Sequence, residues 1–456
     1  MNISGLEHRL AAVVEEAYRG SRIPGLSVAV SVGGERAAVS FGTTAAGSGI
    51  PMTPGARFQL GCITKVLTCI AAMQLAHTGK IDPEGTIGEY LPELAEALQA
   101  RDIRIRHLGA HTSGYRGLHP ARPEYGYFYS WPKFVNFFRS TDQVFRPGSV
   151  FNYEHTESVI LGEVIKRVSG SSTETLVRDL ILEPLQVTTG SIERDAGHPE
   201  VRVADHSLDQ SSGQYATVRS VPYCSFWAPS LSSMTMGMVD LVTLGEMLSG
   251  LRLTPGISAG ALDAVVRQVV QLPRSAGGPQ REVLPRSFGF GCAQYGPGVF
   301  GHNGSARGQT CGLRFSPAAG VVVAVALNCW DPYARDSLLQ SLLQILLPDF
   351  PAESGASGGP PKVDMGMDEL EGMYAGCVEG LQIEVRRNGD RLLCSLDGLS
   401  GSGTQKLNLE VAFDAAGELR AKCPLRHLSV AFFREEHTGT PAILVALNAF
   451  RKVRAA

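Results

Sequence analysis

The strand patterns at the two ends of the region before residue 348 constrain the fold more than any other feature of the sequence. Residues 25–42, GLSVAVSVGGERAAVSFG, alternate apolar and polar side chains on either side of Gly33 and Gly34, which predicts a β-hairpin. Strand patterns return between residues 287 and 328, and helical spacing of apolar residues fills much of the sequence between these two places. Strands at both ends with helices between them predict an α+β domain whose sheet is completed by distant pieces of the chain.

The regular pattern stops at residues 348–364, PDFPAESGASGGPPKVD, where Pro, Gly, Ser and Ala displace the apolar periods, as is typical of a linker. The residues that follow form short alternating runs separated by turns, a pattern that favours a small antiparallel sandwich or barrel. A chain of 456 residues also exceeds the size at which a single core usually stops growing. We therefore expect a mixed domain over residues 1–347, a linker over 348–364 and a small all-β domain over 365–456.

Charge and cysteine content narrow the classes of partner. The formal net charge is −3, so no global basic field draws in nucleic acid or an anionic membrane surface, and small molecules or other proteins are the expected partners. Residues 1–20 show helical spacing rather than an export signal, and the most apolar segment, which starts at Gly320, is too short to cross a bilayer. Nine cysteines, an odd number without a pairing pattern, predict free thiols in a reducing cytoplasm.

A cysteine and a lysine stand three positions apart in residues 58–68, FQLGCITKVLT. Cys62 directly precedes a helical pattern, where unpaired N–H groups and partial positive charge favour a thiolate. Lys65 follows one turn later on the same face, so it can accept the thiol proton or, if it stays charged, stabilise the thiolate. Spacing alone favours the alternative, a buried core thiol near a solvated surface lysine, because cysteine is among the most buried residue types.

Four segments, in order along residues 24–345, carry a family resemblance. They are FQLGCITKVLTCIAAMQLAHTGKI, IRHLGAHTSGYRG, FNYEHTESVILGEVIKRVSG and FGHNGSARGQTCGLRFSPAAGVVVAVALN. They resemble the Ser-x-x-Lys helix, the HTSG segment, the Tyr-x-Asn region and the Lys-Thr-Gly or His-x-Gly strand of the serine β-lactamase and penicillin-binding-protein superfamily. Within it the class C β-lactamase, esterase and D-aminopeptidase branch is the most similar. The resemblance implies a β-lactamase/transpeptidase-like fold for the first domain, and the ordered set is more specific than any single motif.

The resemblance also implies roles for matching residues. Cys62 takes the place of the nucleophilic serine, Lys65 is its partner, and Tyr153 is the tyrosine that acts as general base and acid. His302, Asn303 and Gly304 form the third motif, with His302 in the lysine position, and the backbone N–H groups of Cys62 and Ser305 form the oxyanion hole.

Two positions depart from the family pattern. His155 stands where the Tyr-x-Asn motif has asparagine. An imidazole can orient substrate or transfer a proton near neutral pH, or its hydrogen bonds can be satisfied by a neighbouring carbonyl or by Glu154. Cys62 replaces an oxygen by a sulfur, and thioester intermediates suit transfer to an amine or alcohol as well as to water. A true β-lactamase role is therefore disfavoured.

Other chemistry-bearing residues are interpreted as structural. The SWPK at residues 130–133 matches Ser-x-x-Lys literally, but its proline and aromatic surroundings predict a loop and an aromatic helix. His107 and His111 have metal-ligand spacing, but Gly109 interrupts their helix and no third ligand is evident. Ser113 is expected in a turn and Cys69 in the core.

The C-terminal region resembles the lipocalin-like barrel that some D-aminopeptidases and esterases carry, through LEGMYAG and LQIEVRRNGDRLLCSL. In such relatives this domain edges the active site or mediates association, and here a packing module is the alternative.

We therefore expect an acyl-transferring hydrolase of the esterase or amidase type that uses no cofactor and no metal. An acyltransferase in specialised metabolism and a non-catalytic binding protein are the alternatives. The expected partner is a small-molecule acyl substrate, free or carrier-bound. The aromatic segments 119–138 and 209–233 indicate an apolar substrate face. The sequence leaves the oligomeric state open.

Overall fold

The computed structural model describes most of the chain. The described residues are 3–98, 102–117, 130–192, 203–209, 211–218, 233–273, 285–306, 308–351, 365–376, 382–397, 407–413, 419–422, 430–435, 438–445 and 448–453. Most of the predicted linker, and the parts of the two predicted substrate-facing segments at 119–129 and 219–232, lie outside these residues.

The described helices and strands occur in the following order. The helices are α1 (Ile3–Arg19), α2 (Ile63–His77), α3 (Ile87–Tyr90), α4 (Pro92–Leu98), α5 (Ile105–Gly109), α6 (Trp131–Phe138), α7 (Thr156–Ser169), α8 (Thr173–Val177), the π-helical α9 (Arg178–Leu182), α10 (Met238–Leu248), α11 (Ala259–Val266), α12 (Pro332–Leu346) and α13 (Met367–Leu370). The strands are β1 (Gly25–Val32), β2 (Glu35–Gly42), β3 (Phe58–Gln59), β4 (Ser191–Ile192), β5 (Asp205–Asp209), β6 (Gln214–Val218), β7 (Met234–Met236), β8 (Val270–Gln271), β9 (Ser287–Phe288), β10 (Ala293–Gly296), β11 (Val299–Ala306), β12 (Gln309–Ser316), β13 (Val321–Leu327), β14 (Gly372–Gly376), β15 (Gln382–Asn388), β16 (Arg391–Asp397), β17 (Leu407–Phe413), β18 (Leu419–Lys422), β19 (Val430–Arg434), β20 (Pro441–Val445) and β21 (Asn448–Val453).

The chain divides into two compact units. The first comprises Met1–Ile81, Ile165–Val266 and Gly291–Ser354. The second comprises Asp82–Val164, Arg267–Phe290 and Gly355–Ala456.

The first unit is built on an antiparallel sheet in which six of its strands run in the order β2-β1-β13-β12-β11-β10. The predicted hairpin is β1 and β2, and its turn uses Gly33 and Gly34, both at positive φ. Strand β13 pairs along the full length of β1, so early and late pieces of sequence complete the sheet, as expected. Apolar residues of α1, α12, β1 and β13 form one buried cluster. Strand β11 is placed in this sheet by pairing with β12, and it contributes to the site described below.

The second unit contains an antiparallel sheet of eight described strands in the order β18-β17-β16-β15-β14-β21-β20-β19. This sheet has its own apolar cluster, which includes Tyr374, Ile383 and Phe450. A further cluster joins it to Val144, Phe145 and Val150. The mixed fold with a C-terminal all-β sheet confirms the expected α+β class. The boundaries at residues 347 and 365 stay a prediction, since the compact units group the C-terminal sheet with residues 82–164.

Among the described residues, no helix combines the length and the apolar character that crossing a bilayer requires.

Candidate active site

Cys62 lies at the N-terminus of α2, as predicted. It is the N-cap residue, and its side chain is half-buried. Lys65 is one turn further on and is only 1% exposed. The alternative drawn from spacing, a buried thiol near a solvated lysine, is therefore wrong for this pair. The thiol of Cys62 is partly accessible, and Lys65 is the buried residue. Cys69, further along the same helix, is buried as expected.

The backbone before Cys62 touches strand β11 at two glycines. Gly61 adopts φ +51°, and a Cβ added there would lie 2.4 Å from the Ser305 carbonyl oxygen and 2.7 Å from the Ser305 nitrogen. A Cβ at Gly304 would lie 1.9 Å from the Leu60 carbonyl oxygen. Only glycine permits so close an approach of two main chains. The contact brings the two predicted oxyanion donors, the N–H groups of Cys62 and Ser305, to adjoining stretches of backbone.

Two side chains of the neighbouring sheet hold the segment before Cys62. The Cys311 thiol donates to the Leu60 carbonyl oxygen at 3.3 Å. The backbone N–H of Gln59 donates to Gln309 Oε1 at 2.8 Å. Both partners come from β12, the strand next to β11, so the sheet holds residues 59–61 as well as 304–305.

His302 is buried, and its pKa is lowered to about 3, first by burial and then by the positive charge of Lys65. Its Nδ1 lies 2.5 Å from the carbonyl oxygen of Asn303, so the neutral ring donates from Nδ1 and keeps Nε2 as an acceptor. The residue that resembles the family's motif lysine is therefore a neutral group near Lys65, rather than a second cation.

Asn303 is held by a buried arginine. Its Oδ1 accepts a hydrogen bond from Arg314 Nη2 at 2.8 Å. Arg314 is buried, its guanidinium lies 3.3 Å above the centre of the Tyr295 ring, and Nη2 is 3.7 Å from Asp336 Oδ1. The carboxamide oxygen of Asn303 is thus engaged inside the protein, and its predicted contact with substrate stays a prediction.

Tyr153 and His155 lie together in the second unit. The ring centre of Tyr153 is 4.4 Å from that of His111 and 5.6 Å from that of His155. The Glu154 carboxylate accepts a hydrogen bond from the backbone N–H of His155 at 2.8 Å, next to the start of α7. The predicted alternative satisfied the imidazole of His155 through a neighbouring carbonyl or through Glu154, and the bond described here involves the main chain of His155. The role of the imidazole stays a prediction.

Sequence analysis missed a buried pair beside Tyr153. His111 Nδ1 lies 2.6 Å from Glu157 Oε2, and both side chains are buried. His107 has a different partner, since its Nδ1 accepts the backbone N–H of Arg104 at 3.0 Å. The two histidines therefore serve separate local structures. The position of His111 in the HTSG segment was the one available signal for a role near Tyr153.

The SWPK segment has the predicted structure. Ser130 is the N-cap of α6, the helix starts at Trp131, and its proline lies in the first turn.

The structure thus brings Cys62, Lys65, His302, Gly304 and Ser305 together in the first unit. It places Tyr153 and His155 together in the second unit. That these two groups act on one substrate stays a prediction.

Comparison with known proteins identifies the family of the chain. The family model described as Beta-lactamase matches residues 10–345. The chain belongs to the beta-lactamase family. This membership confirms the superfamily that the four segments resemble.

Proteins that are similar to the chain carry names of several different activities. The chain is 28% identical to penicillin-binding protein 4 of Amycolatopsis lactamdurans over 330 residues, which cover 67% of this chain and 81% of that protein. It is 30% identical over 159 residues to the ML-236A carboxylate methylbutanoyltransferase mlcH of Penicillium citrinum, covering 30% of this chain and 38% of the transferase. An esterase, EstB of Burkholderia gladioli, is also similar. Hydrolases and acyltransferases thus both occur among beta-lactamase relatives, which supports an enzyme that transfers acyl groups.

Among solved structures, SurE matches 99% of this chain and 100% of its own, with a TM-score of 0.75 at 21% identity. At this identity the likeness shows a shared fold.

Proposed function

We propose that the chain is an acyl-transferring hydrolase that forms a thioester acyl-enzyme on Cys62. The observation that carries the proposal is the packing of Gly61 against the main chain of Ser305, beside a half-buried thiol. This packing supports two main-chain donors close to the sulfur, as stabilisation of a tetrahedral oxyanion requires. The beta-lactamase relatives support the reaction class.

In the proposed reaction the Cys62 thiol gives its proton to Tyr153, the positive charge of Lys65 stabilises the thiolate, and the sulfur attacks the acyl carbon of an ester, amide or thioester. The bond to the leaving group breaks, and the leaving group takes a proton through Tyr153. Water then gives a proton to Tyr153 as its oxygen attacks the thioester carbon, the carbon–sulfur bond breaks, and the sulfur takes that proton, so that the Cys62 thiol is regenerated. With its pKa lowered to about 3, His302 is neutral near pH 7, so it contributes a hydrogen-bond acceptor rather than a positive charge. The proposal needs no cofactor.

A second candidate is transfer of the acyl group to an amine or alcohol, supported by the similarity to the methylbutanoyltransferase. The acyl donor is a small molecule, free or carrier-bound. Because one SurE structure contains D-Leu, donors with D-amino acid groups belong among the candidates. A catalytic thiol stays reduced in the cytoplasm, which is where we propose that the enzyme acts.

The test is to trap the acyl-enzyme. The protein is incubated with p-nitrophenyl esters and with D- and L-aminoacyl N-acetylcysteamine thioesters, and its intact mass is recorded. We expect one acyl adduct, which Cys62→Ala abolishes. Cys69→Ala is the matched control on the same helix, because Cys69 is buried, and it should keep the adduct.

The outcomes separate the alternatives. Release of free acid indicates hydrolysis, whereas product formed only with an added amine or alcohol indicates transfer. A wild-type protein that gives neither adduct nor turnover with any donor would refute the proposal and support a binding protein.

A further inference from the structure

The segment that leads to Tyr153 is tied to the C-terminal sheet. Asn152 is buried, and its Oδ1 accepts a hydrogen bond from the backbone N–H of Ala449 in β21 at 3.0 Å. Tyr153 is the next residue in the chain. The side-chain amide of Asn152 therefore links the backbone at Tyr153 directly to a strand close to the end of the sequence.

Apolar contacts reinforce this link. One buried cluster joins residues just before Asn152 to three strands of the C-terminal sheet. Its members are Val144, Phe145, Val150, Ala431, Ala442, Leu444 and Ala449. Alanines on the strand side let the sheet approach closely, so a shift of the sheet would move the segment with it.

The other side of the segment is held by His111. The backbone N–H of Asn152 donates to the His111 carbonyl oxygen at 2.8 Å, and the His111 ring contacts the Tyr153 ring. Glu157 fixes the orientation of the His111 ring, because its Oε2 lies 2.6 Å from His111 Nδ1. Asn152 therefore has two anchors, one through its main chain and one through its side chain, and only the second depends on the C-terminal sheet.

We propose that the C-terminal sheet positions Tyr153 for proton transfer through the hydrogen bond between Asn152 and Ala449. The inference rests on the proposed function, in which Tyr153 carries protons. It makes Asn152 a positioning residue and gives the C-terminal domain a part in the reaction beyond packing. Placement of a proton-transfer group is a sensitive target, because a misplacement of about 1 Å can cost about a hundredfold in rate.

A double-mutant cycle tests the proposal in the full-length protein. Asn152→Ala removes the acceptor and should lower kcat about tenfold to a hundredfold, with little change in KM. Tyr153→Phe should lower kcat by about 10²–10⁴-fold. If Asn152 acts through Tyr153, adding Asn152→Ala to Tyr153→Phe should change kcat by less than about twofold. Asn152→Asp keeps an acceptor oxygen and should restore part of the rate.

The matched control is Arg116→Ala. Arg116 Nη1 donates to the Gly376 carbonyl oxygen of β14 at 2.7 Å, so this change also removes a hydrogen bond to the C-terminal sheet but leaves Asn152 intact. We expect it to lower the melting temperature without lowering kcat. If Asn152→Ala does not accumulate as a folded protein, Asn152→Ser, which leaves a smaller gap, takes its place in the cycle.

The outcomes are decisive. Wild-type kcat in folded Asn152→Ala, additive losses in the double mutant, or an unaffected Tyr153→Phe would each overturn the inference while leaving the Cys62 adduct in place. A wild type without an adduct would instead refute the proposed function. In a protein that forms no adduct, the NMR signal of ¹³Cζ-labelled Tyr153 still reports the position of its ring. This signal should shift in Asn152→Ala and stay unchanged in Arg116→Ala. An unshifted signal in Asn152→Ala would overturn the inference.

Discussion

Replacement of Gly61 by alanine should disable the reaction without removing any catalytic side chain. The new Cβ would lie 2.4 Å from the Ser305 carbonyl oxygen, whereas ordinary contact requires about 3.5 Å, so β11 and the start of α2 must separate by about 1 Å. Oxyanion donors work within a window of about 0.4 Å, at roughly 2.7–3.1 Å from the oxygen. Loss of one donor typically costs about 10²–10³ in kcat, and we expect a loss of this size.

The backbone conformation adds a second effect that needs a control. Gly61 has φ +51°, so alanine also incurs about 1–2 kcal/mol of strain. Gly33 has φ +59° in the hairpin between β1 and β2, with no atom within 4 Å of an added Cβ. Gly33→Ala therefore has a similar strain without the clash.

The assay compares kcat for thioester hydrolysis and the melting temperature of both variants. Gly33→Ala should lose stability and keep its kcat, while Gly61→Ala should lose stability and kcat together. Equal kcat values in the two variants would show that the contact between Gly61 and Ser305 does not support an oxyanion hole.

Two further predictions concern titration. Burial raises the pKa of Cys311 to about 12, so iodoacetamide at pH 7.5 should label the half-buried Cys62 and spare Cys311. Peptide mapping by mass spectrometry measures the labelling of each cysteine, and faster labelling of Cys311 would contradict this prediction. The pKa of His302 is lowered to about 3, so the unfolded chain binds more protons between pH 6.5 and 3, and His302 makes stability fall as the pH drops through this window. His302→Gln should therefore flatten the dependence of the melting temperature on pH, and an unchanged slope would argue against a buried neutral imidazole.

Local pattern was sufficient for much of the fold. Alternation around Gly33 and Gly34 predicted the hairpin, and the cysteine before a helical pattern predicted the N-terminal position of Cys62. Both features depend on residues close together in sequence, where side-chain spacing translates directly into structure.

The parts that could not be predicted depend on distant partners. Spacing placed Lys65 on the face of Cys62, but only the tertiary structure shows that it is buried. His111 meets Glu157 across 46 positions, and Asn152 meets Ala449 across 297. The spacing of apolar residues along the chain does not predict which distant residues form such pairs. The resemblance to relatives concerned the motifs themselves, and Glu157 and Ala449, which hold these motifs in place, lie outside the motif positions.

The order in which the chain is made has a consequence for the thiol. The Gly25 N–H bonds to Asn328 Oδ1 across 303 positions, and the segment before Cys62 bonds to Gln309 across 250. Synthesis runs from the N-terminus, so α2 leaves the ribosome long before β11 and β12 exist, and pairing over such separations forms slowly. On the proposed function, Cys62 of a nascent chain therefore lacks its second oxyanion donor, and catalysis begins only when the late strands dock beside it.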